Sequence, residues 1–186
     1  MKNILIVSIF SFIFFACKSD VNEKSLNEIS TEETGQPVVD TARGMNVVNE
    51  SDERFLKERA AAILFEVETA QLALQKTNNQ SLKKLSNQII EDRLVIIEEL
   101  KKLSSLKNVT LPTVSGNQRS TELEDLQKLN ATEFDKKYLS FIVEFLEEDI
   151  RKFEKAANNA NSPEIKVFAS KSLPIMRTHL DEARSL

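Results

Sequence analysis

At 186 residues and a formal charge of −4, the chain has length for one folded domain with appendages. It holds three Gly, four Pro, one His, one Cys and no Trp. This composition favours helices and excludes most catalytic and metal-binding inventories. The mild acidity comes with no basic face or stripe, so nucleic acid is not an expected partner.

Residues 1–16 read as a signal peptide. Lys2 gives a short basic start, and Ile4 to Phe15 form an apolar run too short to span a bilayer. The run ends in Phe14-Phe15-Ala16-Cys17, which resembles a bacterial lipobox, with bulky residues, a small one, then the cysteine to be acylated. Cys17 is the sole cysteine and sits at the cleavage boundary, so it is the expected lipidation site. No intramolecular disulfide can form. Lys18 follows it, where inner-membrane retention signals carry Asp. The expected location is the cell envelope, on the periplasmic side of the outer membrane, with surface display as the alternative.

Residues 17–50 are polar and aperiodic, with Gly35, Pro37 and Gly44 interrupting them. They read as a flexible tether from the acylated cysteine, with a reach of about 30–35 Å. The folded domain then occupies residues 51–186. Ser51 or Asp52 caps a first helix that runs to about Thr77, with Phe55, Ala62, Ile63, Ala70, Ala73 and Leu74 on its inner face. Arg59 and Glu66 fall inside that arc.

After a short break at Asn78-Asn79-Gln80, Leu82, Leu85, Ile89, Ile96, Leu100 and Leu103 recur at steps of three, four and seven. They define a second helix from Ser81 to about Ser104, antiparallel to the first. Asp92 and Arg93 fall on opposite shoulders of its stripe. Residues 106–119, with Pro112 and Gly116, read as a loop, and Thr121-x-x-Glu124 as a capping box opening a short helix to Leu129. Thr132 caps a third long helix with Phe134, Tyr138, Ile142, Phe145, Leu146, Phe153 and Ala157 inward, and Asp149 within that stripe. Ser162-Pro163 opens the last helix, in which Ile165, Phe168, Ala169, Met176, Leu180 and Ala183 face in beside His179. Pro174 removes one backbone bond and should kink it.

Two tight hairpins joined by a long connection predict an all-α fold. It is a ferritin-like four-helix bundle with one long crossover that contains the short extra helix. The second helix spans about 37 Å, and thirteen or so extended residues reach that far at about 3.3 Å each. An up-down bundle with the short helix across one end is the alternative.

The domain from Asp52 to Leu186 resembles the secreted, ferritin-like domain-of-unknown-function family 4142. The matching pieces are Phe55, Glu66-Val67 and Gln71-Leu72-Ala73 in the first helix, Asp92 in the second, and Phe134-Asp135-x-x-Tyr138-Leu139 in the third. Leu173-Pro174 and His179-Leu180 match in the last. The resemblance implies an inward Asp-His in the second helix and an inward His in the third. This chain has Asp92-Arg93 and Leu146 there, with Asp149 kept, so two of the three inward histidines are absent.

Glu66, Asp92, Arg93, Asp149 and His179 therefore form the expected buried polar network, with Arg59 able to join it. A metal site would draw one ligand each from Glu66, Asp92, Asp149 and His179. Against it stand the absence of any Glu-x-x-His and the permanent cation of Arg93, which repels a metal ion and competes for the carboxylates. No Gly-rich phosphate loop, Cys-x-x-Cys or Gly-x-Ser-x-Gly occurs. The expected protein is a lipid-anchored, non-catalytic binding or structural module without cofactor, whose partner is the membrane and an envelope protein or small ligand. The rival is a metal-binding redox or storage protein.

Overall fold

The computed structural model describes residues 48–186, apart from the side chains of 117–120. The expected signal peptide, Cys17 and nearly all of the expected tether lie outside the described residues. Five helices follow in order: α1 (Glu50–Lys76), α2 (Gln80–Leu106), α3 (Asn117–Lys128), α4 (Ala131–Asn159) and α5 (Pro163–Arg184). No strand occurs among the described residues.

Four of the helices are long and pack as a ring, α1 on α2, α2 on α5, α5 on α4 and α4 on α1. The polar contacts at the ends give their directions. Asp52, at the start of α1, accepts from the backbone N–H groups of Asn161 and Ser162 in the α4–α5 turn, at 3.0 and 2.8 Å. At the same end, Lys107 after α2 pairs with Glu164 at the start of α5. At the opposite end the Lys76 ammonium, closing α1, donates to the carbonyl of Gln127 in α3. The chain must therefore travel the length of the bundle between α2 and α4. That is the ferritin-like arrangement with its long crossover, and α3 lies within the crossover.

The caps differ in detail from the expected ones. Asn49 caps α1 through Ser51, and Asn130 caps α4 through Glu133, so neither Ser51, Asp52 nor Thr132 takes that role. Helix α3 starts at Asn117 behind Gly116, whose φ of 90° suits a residue without Cβ, and not at Thr121. Helix α2 runs past Ser104 to Leu106. There Asn108, at φ 56°, turns the chain left-handed, with Val109 N–H on the Ser104 carbonyl and Asn108 N–H on that of Ser105. This is a Schellman closure. Ser162 caps α5 with Pro163 in its first turn, and the helix continues through Pro174 to Arg184.

Aromatic side chains fill the α1–α4 seam. Phe55 meets Phe153 edge-on at 5.5 Å between centroids, Phe65 meets Phe141 at 5.6 Å, and Phe153 continues to Phe168 of α5. The apolar stripe of α2 is buried at all six positions from Leu82 to Leu103. Each such side chain contributes about 1.5–3 kcal/mol on burial, so the seams and stripes carry most of the driving force.

Candidate functional site

Helix α1 brings Arg59 and Glu66 to the middle of the bundle, α2 brings Arg93 and α4 brings Asp149. Each stands at a position where the helical period points inward. Arg93 and Glu66 are both 0% exposed, and Arg59 and Asp149 are nearly so. Such charges persist out of water only when paired. Arg93 Nε lies 2.5 Å from Glu66 Oε2, and its Nη2 donates to Glu66 Oε1 at 3.2 Å, a two-point grip on one carboxylate. The same Nη2 lies 3.5 Å from Asp149 Oδ2, while Arg59 Nη1 donates to Asp149 Oδ1. Two guanidiniums thus meet two carboxylates in one closed cluster.

Burial opposes the charge on Arg93, but Glu66 and Asp149 outweigh it and hold its pKa above the ordinary value. Its Nη1 is buried without an acceptor, as is Arg59 Nε. Next to the cluster, His179 Nε2 of α5 lies 2.9 Å from Asp92 Oδ2. Burial, and then the nearby Arg93, lower the His179 pKa against the pull of Asp92. The imidazole is buried, whereas the Asp92 side chain is 41% exposed. Asp92 therefore belongs to the edge of the core and not to its buried centre. A short side chain on the shoulder of a stripe stays at the rim, while the longer Arg93 reaches in from the other shoulder.

Three groups have roles that the sequence reading did not assign to them. Asp52 holds the α4–α5 turn instead of capping its own helix. Ser86 and Tyr138 share a buried hydrogen bond of 3.3 Å between α2 and α4, and burial raises the phenol pKa despite it. Arg59, expected only as a possible addition, is the principal partner of Asp149.

For a metal the donor set is poor. Among the described residues, no group of three or more His, Cys, Asp or Glu side chains is placed to hold a metal ion. His179 and Met176 are the sole imidazole and thioether there. Glu66 and Asp149 are already engaged by guanidiniums, so an incoming cation would have to displace a permanent one. The residues do not fit a metal centre.

The fold and its centre define an all-helical bundle organised on buried ion pairs. The chain belongs to the family described as a domain of unknown function (DUF4142), whose model matches residues 38–186. That match begins upstream of α1. Among solved structures, a DUF305 fragment from Deinococcus radiodurans superposes with a TM-score of 0.66 at 10% identity, covering 74% of this chain and 95% of that one. CopM in its Cu(I)-bound form gives 0.62 at 18% identity, over 74% of this chain and 95% of that one. Its Cu(II)-bound form gives 0.61 at 18% identity, over 72% and 93%. At these identities the likeness is one of fold, the ferritin-like helical bundle. No curated protein matches in sequence.

Proposed function

We propose that this is a lipid-anchored protein of the cell envelope, held through acylated Cys17, whose helical domain is a non-catalytic binding or structural module. The observation that carries the reading of the domain is the closure of its polar centre. Arg59 and Arg93 neutralise Asp149 and Glu66 out of solvent, so both carboxylates of the cluster are engaged by permanent cations, and among the described residues no group of three or more metal-ligating side chains comes together. Catalysis needs groups that can reach a substrate and change protonation state near neutrality. A guanidinium does neither here.

The anchoring part rests on the lipobox-like Phe14-Phe15-Ala16-Cys17 after its short apolar run. Among the described residues no helix is long and apolar enough to cross a membrane, so membrane association would come from the upstream segment. The expected site is the outer membrane. An envelope protein or a small ligand is the expected partner.

The metal reading draws its support from CopM, which shares the fold and binds copper. Copper favours thiolate, thioether and imidazole ligands, which this bundle nearly lacks. One preparation tests both parts. Cys17→Ser should move the protein from the membrane fraction to the soluble fraction, and protein purified without chelator should carry less than stoichiometric metal and take up none on titration with copper. A variant that stays membrane-bound after a high-salt wash overturns the anchor. A full equivalent of tightly held metal overturns the structural reading of the core.

A further inference from the structure

A cleft of about 210 Å³ opens between the first turns of α1 and the last turns of α4. Four cationic side chains line it, Arg54 and Arg59 from α1 and Lys152 and Lys155 from α4, against two carboxylates, Asp52 and Glu58. The two acids are not equivalent. Both oxygens of Asp52 are spent on the Asn161 and Ser162 N–H groups, and that side chain is buried. Glu58 is exposed and only 3.8 Å from Arg59, so it remains at the rim.

The cations also divide. Lys152 is paired with Glu148 at 2.7 Å, and Arg59 is committed to Asp149. Among the described residues Arg54 and Lys155 have no ion-pair partner, and they stand exposed on the two sides of the opening. Two such cations on different helices therefore line a concavity that also holds the buried Arg59 and Asp52. Phe55 and Ala156 supply low-dielectric wall, which lengthens the reach of these charges compared with open solvent. The volume lies below the roughly 300–1,000 Å³ of pockets for drug-sized ligands, so the occupant is small.

We propose that this cleft binds a phosphate group, with Arg54 and Lys155 closing on it from α1 and α4. A phosphate anion, whether free or esterified, accepts hydrogen bonds through more than one free oxygen, so cations from two helices can reach it together. The site stands on the bundle alone and does not depend on the lipid anchor. Free phosphate and the headgroup of an anionic phospholipid share this chemistry. The second is of interest because the cleft lies where the chain enters α1.

Calorimetric titration of the purified protein with inorganic phosphate, and separately with dihexanoylphosphatidylglycerol below its micelle concentration, tests the proposal. One-to-one binding of at least one probe is expected. Binding of phosphate assigns the free ion as a ligand, and binding of the lipid alone assigns the headgroup. Arg54→Glu with Lys155→Glu should weaken binding about tenfold or more, through loss of two charge-assisted contacts. Glu58→Gln should tighten it. As a control of equal charge change, Lys84→Glu with Lys102→Glu alters exposed positions outside the cleft and should have little effect. Circular dichroism will show that the variants fold. Binding of neither probe, or an equal loss in the control, overturns the proposal.

Discussion

Removal of Arg93 tests the bundle centre most directly. In Arg93→Ala, Glu66 loses both guanidinium contacts, at 2.5 and 3.2 Å, while remaining in the core. Asp149 loses a contact of 3.5 Å but keeps Arg59. The damage therefore concentrates on a single carboxylate. Breaking a buried pair from one side costs about 3–5 kcal/mol, a large share of the 5–15 kcal/mol that typically holds a domain together. Arg93→Met keeps most of the volume but not the charge, and a similar loss would assign the effect to the charge and not to a cavity. The pH dependence has a definite sign. With the Arg93 charge gone and burial unchanged, the Glu66 carboxyl should be pushed up from its ordinary value. The native variant then takes a proton before the unfolded chain does. Its deficit relative to the parent should shrink as pH falls from 7 towards 5. Urea unfolding followed by circular dichroism from pH 5 to 8 measures both effects. A loss below about 1 kcal/mol at pH 7 would place the pair among weak surface bridges and refute the argument.

Two further outcomes follow from other contacts. The His179 pKa is depressed by burial and Arg93, so the unfolded chain takes its proton first, and stability should fall as pH drops below about 6.5; an NMR titration of the imidazole with a midpoint at or above that value would contradict this. Asp52→Ala removes the acceptor of two backbone N–H groups in the α4–α5 turn and should cost about 1–3 kcal/mol, with faster amide exchange at Asn161 and Ser162; unchanged exchange there would show that water replaces the carboxylate fully.

The helices and their inner faces were legible in sequence because burial repeats with the helical period. Every predicted inward residue of the last helix, Ile165 to Ala183, is buried. The starts of α1 and α4 were harder, since each offered more than one competent acceptor. Asn49 competes with Ser51 and Asp52, and Asn130 with Thr132, and only the tertiary path decides which is used. Asp52 illustrates the limit. Its partners are 109 and 110 residues away, and no local pattern foretells them. Arg59, Glu66, Arg93 and Asp149 were visible as polar breaks in apolar stripes, but which carboxylate each guanidinium takes depends on the relative heights of three helices.

Those heights explain why a bundle would keep charges at its centre at all. The Arg59–Asp149 pair ties α1 to α4, and the Glu66–Arg93 pair ties α1 to α2. The Arg93–Asp149 contact then reaches from α2 to α4, which belong to different hairpins. An apolar stripe tolerates sliding, because a leucine displaced by one turn meets another apolar side chain. A charge does not. Slipping one helix by a turn moves a side chain about 5.4 Å, enough to break a 2.5 Å contact and leave two ions without partners in a medium that penalises each by several kcal/mol. Each pair adds little net stability over apolar replacement, yet every misregistered bundle must leave these ions unpaired. The buried charges thus select the one alignment of two hairpins that the hydrophobic stripes leave open.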